Sequence, residues 1–314
     1  MLNKKTLEDL ENESVRGKKV MVRVDFNVPI ENGEISDDSR IKAALPTLTT
    51  LLSKGASLIV VSHLGRPKGT VSPEYSLAPI AKRLSELLAR PVLQLSACVG
   101  EQVETQVNTL KQGDVALLEN IRFYKEETEN NTEFSRQLAN LADIFVQDAF
   151  GVVHRAHSST SGVTQFLPSY AGRLIEKEIA FLDHAICQPK RPFLAIVGGS
   201  KVSSKITVLE SLLPVVDVMV IGGAMAFTFF KAQKISIGKS LCEDDKLEVA
   251  MRFLQKAKET KTKVVFPVDQ VVVDSIGSDE LETVDIESIP DHKLGVDSGP
   301  KTIDIISKLI ESAG

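Results

Sequence analysis

The sequence predicts an α/β protein of two three-layer domains, each built on a parallel sheet, and three observations carry that reading. Short apolar runs rich in β-branched residues recur along the chain and alternate with helical or loop stretches. A length of 314 residues suits two domains better than one. A proline-bracketed basic segment, Cys187-Gln-Pro-Lys-Arg-Pro192, follows a helical pattern between Ile175 and Ala185 and marks the connection between them. Hydrophobic residues make up 43% and charged residues 25%, so each half can bury its own core.

In chain order, strands are expected at Val20–Val24, Leu58–Ser62, Val92–Leu95, Val115–Leu118 and Ile144–Gln147, then at Leu194–Val197, Val218–Ile221 and Val264–Pro267. The stretch from Asp38 to Gly55 places Ile41, Leu45, Leu48, Leu51 and Leu52 at helical spacing, with a capping residue at its start, a glycine at its end and Pro46 expected to bend it. The apolar stripe Met225–Phe230 reads as helix core, and Ile303–Gly314 as a further helix. Asp274–Ile289 is acidic and nearly aperiodic, which predicts a loop or a hairpin excursion.

Composition narrows the function. The net charge is −5 and the isoelectric point about 5.7, which argues against a global basic field for nucleic acid. The first ten residues include Lys4, Lys5, Glu8 and Asp9, and no apolar run approaches the ~20 residues of a membrane span, so a cytosolic protein is expected. Cys98, Cys187 and Cys242 lack the close spacing of a metal or redox motif and are expected as free or buried thiols.

Cationic groups must therefore act locally. Arg40, Arg66, Arg122 and Arg155, with His63 and His154, fall at strand ends and helix starts of the first half. Arginine's planar fork matches phosphate and carboxylate oxygens, so the set points to a small, highly anionic substrate. In the second half an apolar strand runs into Gly198-Gly-Ser-Lys-Val-Ser-Ser-Lys205, glycines followed by a lysine-bearing helix start, where a nucleotide phosphate is expected. Each signal is weak alone. Asp25-Phe-Asn27 by itself suits an Asx turn, and Gly-Gly-Ser-Lys is neither a Walker A loop nor a G-x-G-x-x-G fingerprint. His154 and His157 lack the i, i+4 spacing of a helical metal pair, so no metal-ligating residues are assigned.

Taken together these segments resemble phosphoglycerate kinase. The resemblance rests on Val22-Arg-Val-Asp-Phe-Asn-Val-Pro29, Ser62-His-Leu-Gly-Arg-Pro-Lys-Gly69, Leu118-Glu-Asn-Ile-Arg-Phe-Tyr-Lys-Glu-Glu127 and Asp148-Ala-Phe-Gly-Val-Val-His-Arg-Ala-His-Ser-Ser159. It continues through Gly198–Lys205, Ile221-Gly-Gly-Ala-Met-Ala-Phe-Thr-Phe229 and Gly295-Val-Asp-Ser-Gly-Pro-Lys-Thr302, in the family's order over nearly the whole chain. It implies two Rossmann-like domains joined by a hinge helix: residues 1–174 holding 3-phosphoglycerate, 175–192 connecting, and 193–314 holding the nucleotide. The implied activity is the glycolytic, reversible phosphoryl transfer between 1,3-bisphosphoglycerate and ADP, giving 3-phosphoglycerate and ATP. Mg2+ is expected with the nucleotide, and a monomer without nucleic-acid or membrane partners is expected.

Carried over by motif, Asp25, Phe26 and Asn27 position the glycerate, and His63, Leu64, Gly65 and Arg66 wrap it. Arg66, Arg122 and Arg155 clamp the phosphate that stays, with Gly151 beside them, and Arg40 faces the phosphoryl group in transit. Lys201 resembles the lysine that follows that group, and Lys205 the one that holds nucleotide phosphates. Gly198, Gly199, Gly222, Gly223 and Gly295 resemble the glycines that admit the nucleotide.

The family's N-G-P-x-G and G-G-D-[ST] segments occur nowhere in these 314 residues. The second domain is therefore expected to be incomplete relative to the family, through truncation. The chain alone is then expected to bind 3-phosphoglycerate with negligible turnover, and the alternative reading is an inactive glycerate-phosphate binding protein. An NAD-dependent oxidoreductase is disfavoured because the G-x-G-x-x-G spacing is missing.

Overall fold

The computed structural model describes residues 4–10, 15–31 and 33–314, and the chain divides into two compact units, residues 1–183 and 184–314.

The first unit is organised by β1 (Lys19–Arg23), a hairpin of β2 (Ile30–Glu31) and β3 (Glu34–Ile35), α1 (Ser39–Ser53), β4 (Ser57–Val61), α2 (Ala78–Leu88) and β5 (Val92–Gln94). There follow α3 (Glu101–Asn108), β6 (Val115–Leu117), α4 (Lys125–Thr128), α5 (Thr132–Ala139), β7 (Ile144–Gln147), β8 (Ser169–Ala171) and α6 (Arg173–Cys187), within which the units divide. Six strands form one parallel sheet in the order β5-β6-β4-β1-β7-β8.

The strands read as apolar runs because both faces of the sheet are covered. The period of two sends Val20, Val22, Leu58, Val60, Leu117 and Val146 to a core shared with Ile41, Leu48 and Leu51 of α1 and Ile80 and Leu84 of α2. Met21, Ile59, Val61, Ala116 and Phe145 face the opposite core, with Val103 and Val107 of α3 and Phe134 and Leu138 of α5. That is the expected three-layer arrangement, and each fully buried large side chain contributes roughly 1.5–3 kcal/mol.

α1 carries Pro46 in its interior, where the hydroxyls of Thr49 and Thr50 donate to the carbonyls of Leu45 and Pro46 at 2.7 Å. Asp38 occupies the N-cap without a side-chain cap bond: its carboxylate binds Arg83 of α2 at 2.7 Å and Lys42 at 2.8 Å instead. Gly55 ends the turn at φ +86.

The second unit contains β9 (Leu194–Val197), α7 (Ile206–Leu212), β10 (Val218–Ile221), α8 (Met225–Ala232), α9 (Leu247–Lys258) and β11 (Lys263–Val265). These strands form a parallel sheet in the order β11-β10-β9. Met225 through Phe230 are all buried, as the stripe predicts, and Phe229 packs edge-on against Phe253 of α9 at 5.6 Å.

β12 (Asp269–Val273), β13 (Glu282–Asp285) and β14 (Leu294–Ser298) make a separate antiparallel sheet, so Asp274–Ile289 is a hairpin excursion within it. β13 reads Glu-Thr-Val-Asp and is mostly exposed, which removes the apolar signal. The last helix, α10 (Pro300–Ser312), is capped across the chain: Asp269 accepts from the Thr302 N–H at 2.8 Å and the Lys301 N–H at 2.9 Å. Among the described residues Cys98 is a buried free thiol and Cys242 a half-buried one, while the side chain of Cys187 lies outside the described residues.

Candidate functional site

In the first unit, parallel pairing brings the C-terminal ends of β6, β4, β1 and β7 to one edge of the sheet. β1 is a topological switch point: β4 lies on one side of it and β7, much later in the chain, on the other. Ligands of open parallel sheets bind at such a point.

The loops leaving these strands enclose a cavity of about 260 Å³ lined by Asp25, Asn27, Arg40, His63, Gly65, Arg66, Gly151, Val152, Arg122 and Arg155. Four guanidinium groups thus face a single carboxylate, an imbalance that suits an anion. Nine of the eleven substrate-side positions named from sequence lie around it. Phe26 and Leu64 do not: both side chains are buried in the core. His154 also falls outside the lining, while His157 joins an adjoining cavity of about 550 Å³ that shares Arg66, Arg122 and Arg155.

Local bonding shows why these residues sit where they do. The Asn27 N–H reaches Asp25 Oδ1 at 3.3 Å, an Asx turn, and the Phe26 N–H donates to Ser62 Oγ at 2.9 Å. Asn27 Oδ1 then accepts from the Gly65 N–H at 2.8 Å, and Arg122 Nη1 donates to the Gly65 carbonyl at 2.7 Å. Asn120 is fully buried and bridges the same loop, accepting from the Leu64 and Arg122 N–H groups and donating to the carbonyls of Leu64 and Tyr75. At Gly65, with φ +60, a Cβ would lie 2.3 Å from the Tyr75 ring, and at Gly151 it would meet Asp25 Oδ2 at 2.6 Å.

The electrostatics follow from burial and crowding. Arg40 is half exposed and pairs with Asp25 Oδ2 at 2.7 Å. Arg122 is lowered to about 10, first by burial and then by Arg155 and Arg23. His63 is lowered to about 2 by burial, with Arg23, Arg122, Arg155 and Arg40 adding to the effect, so it is neutral at any physiological pH.

Three buried residues escaped sequence reasoning. Arg23, 1% exposed, ends β1 and donates through Nε to Ser159 Oγ at 2.9 Å. Ser159 Oγ donates onward to Glu127 Oε1 at 2.7 Å. Burial alone would raise the Glu127 carboxyl, but His157, Arg23 and Ser159 together outweigh it and hold the group below its ordinary value. The available signal was a charged residue, Arg23, directly after the apolar run Val-Met-Val of β1.

In the second unit, the glycine turns after β9 and β10 pack on each other. The Gly222 N–H donates to the Val197 carbonyl and the Met225 N–H to the Gly199 carbonyl, both at 2.9 Å. Gly223 has φ +68, and a Cβ there would sit 2.8 Å from the Gly199 carbonyl oxygen. Gly198 and Gly222 border open space, and the Lys205 stem lies beside Gly199. Lys201 is exposed in the same turn. Gly295 is in β14, where a Cβ would collide with the Phe227 ring at 2.3 Å, so close packing onto α8 requires a glycine here. Among the described residues no group of His, Cys, Asp or Glu could hold a metal ion.

A larger groove of about 790 Å³ lies between residues 33–38 and α2, but its Arg83 is already bound to Asp38 and Glu86, and acidic residues balance its cations.

Comparison with known proteins agrees with this geometry. A family model described as phosphoglycerate kinase matches residues 7–314. The phosphoglycerate kinase of Dictyoglomus turgidum is 52% identical over 311 residues, covering 99% of this chain and 78% of that protein. The cytosolic phosphoglycerate kinase of Triticum aestivum is 50% identical over 315 residues, with coverage of 99% and 78%. The solved phosphoglycerate kinase of Coxiella burnetii superposes with a TM-score of 0.78 at 40% identity, covering 99% of this chain and 78% of that one. The match runs through every loop that lines the basic cavity, and the chain belongs to the phosphoglycerate kinase family.

Proposed function

We infer that the chain acts in reversible phosphoryl transfer between 1,3-bisphosphoglycerate and ADP, with the basic cavity of the first unit as the glycerate site. The single observation that carries the placement is the convergence of Arg40, Arg66, Arg122 and Arg155 on a cavity of about 260 Å³ with one carboxylate. Arg66, Arg122 and Arg155 are assigned to the phosphate that is not transferred. Asp25 and Asn27 are assigned to the glycerate hydroxyl and carboxyl end.

Arg40 is assigned to the phosphoryl group in transit. That group carries charge on its equatorial oxygens in a loose transition state, so a preorganised guanidinium lowers the barrier electrostatically. The acceptor carboxylate is already an anion, and no general base is required.

The glycine turns after β9 and β10, with Lys201 and Lys205, are assigned to the nucleotide phosphates. Mg2+ enters as part of the nucleotide substrate. In-line transfer needs both ligands aligned with water excluded, and the connection at 175–192 is assigned as the segment that absorbs the closing motion. A monomer is the expected state, and among the described residues no helix is long and apolar enough to span a membrane.

The test is titration of 3-phosphoglycerate into single variants. Arg66→Ala, Arg122→Ala and Arg155→Ala should each weaken binding, whereas Arg136→Ala, on the exposed face of α5 and paired with Glu133, should not. Equal affinity across all four variants would relocate the site.

A further inference from the structure

Beneath the cavity, Arg23 is held where no ligand contact is assigned to it. Burying a guanidinium costs several kcal/mol unless its donors are paired. Its Nε donates to Ser159 Oγ, its Nη1 to the Val24 carbonyl, and its Nη2 lies 3.2 Å from His63 Nδ1. Glu127, linked through Ser159, supplies the buried counter-charge.

The third of these contacts constrains His63. A guanidinium N–H only donates, so the ring nitrogen it faces must accept. We propose that Arg23 is a positioning residue that fixes His63 as the Nε2–H tautomer, so that the ring offers the cavity a neutral hydrogen-bond donor. The other groups around the ring agree. Asp25 Oδ1 stands 3.9 Å from Nδ1, too far to accept a proton from it in a hydrogen bond. Arg40, Arg122 and Arg155 oppose a second proton on the ring, as does burial.

The consequence is a division of labour. The four cavity arginines supply charge, and His63 supplies direction without adding a fifth positive group to a crowded site. The opposite tautomer would aim a lone pair at an anionic ligand. This inference depends on the glycerate-site reading only for where the donor points, because the tautomer itself is measurable without ligand.

Long-range 1H–15N correlation spectra of the ligand-free, full chain between pH 5.5 and 8 are the test. The expected His63 pattern is a protonated Nε2 and a bare Nδ1, unchanged over that range. A protonated Nδ1, or a titration near pH 6.5, would overturn the proposal, and the wild-type spectrum decides this even if a variant does not fold. In Arg23→Met a mixture of the two neutral tautomers should appear, with 3-phosphoglycerate affinity reduced about tenfold. Arg23→Lys should restore the wild-type tautomer. A folded Arg23→Met with an unmoved His63 spectrum would also overturn the proposal. The expected wild-type spectrum without any 3-phosphoglycerate binding would instead sink the site reading and leave the tautomer assignment standing.

Discussion

Arg122 and Arg40 share one cavity but are held differently, and that difference predicts separable effects. Arg122 is largely buried, with Nη1 committed to the Gly65 carbonyl, so it is rigid before a ligand arrives. Arg40 is half exposed in an ion pair with Asp25, the kind of contact worth at most about 1 kcal/mol. Arg122→Ala should weaken 3-phosphoglycerate binding by about tenfold or more, while Arg40→Ala should change it by no more than about threefold. Where turnover is followed, Arg40→Ala should lower kcat by roughly 10²- to 10³-fold with a much smaller change in KM. A change confined to KM would reassign Arg40 to ground-state binding. Asp148 gives a second test at this scale. Burial raises its carboxyl from 3.8 to about 6, even though Oδ1 accepts from the Leu174 N–H at the start of α6. Because the folded state binds the proton more tightly, this group's cost grows as pH rises from about 4 to about 6. The stability of wild type relative to Asp148→Asn should therefore fall across that window, by up to about 3 kcal/mol. Urea melts of both proteins at pH 4 and pH 7 showing the same difference would refute it. The cavity arginines were legible from sequence because they fall in polar loop and helix-start segments that follow apolar runs, inside motifs that resemble one family. Arg23 was not, because its role depends on Ser159 and Glu127, which come near it only in the fold.

At the scale of elements, the strand ends place the chemistry, and the glycine turns decide how closely backbones approach. Gly223→Ala combines a left-handed φ with a Cβ 2.8 Å from the Gly199 backbone. It should destabilise the second unit by about 2 kcal/mol and weaken ADP binding. An unaltered urea midpoint together with unaltered ADP affinity would show that the two turns do not depend on each other. The central strands of the six-stranded sheet could be read from sequence because burial on both faces makes them continuous apolar runs. β8, Ser-Tyr-Ala at the sheet edge, and the hairpin of β2 and β3 are too short and too little buried to leave such a pattern. β14 pairs with β12 across the intervening strand β13, so the third strand of this sheet emerged from tertiary contact rather than from local periodicity. Gly295 shows what packing adds to a motif. Its motif identified the family, but the space its missing Cβ leaves is occupied by Phe227.

At the scale of the molecule, a net charge of −5 coexists with a cavity of concentrated positive charge. The anion is therefore attracted by a local field, and long-range repulsion from the rest of the surface is screened within about 10 Å at 0.1 M salt. Affinity for 3-phosphoglycerate should decline with added salt, but far less steeply than for a polyanion that contacts an extended surface. Affinity unchanged from 20 to 300 mM salt would count against a clamp of arginines. The central claim is that the convergence of loops at the switch point of the six-stranded sheet creates the glycerate site. It is tested most directly by isothermal titration calorimetry of 3-phosphoglycerate against the wild-type chain and the Arg66→Ala/Arg122→Ala double variant, both verified as folded. Saturable one-to-one binding to wild type and no detectable binding to the double variant are expected. Equal affinity for both proteins would contradict it.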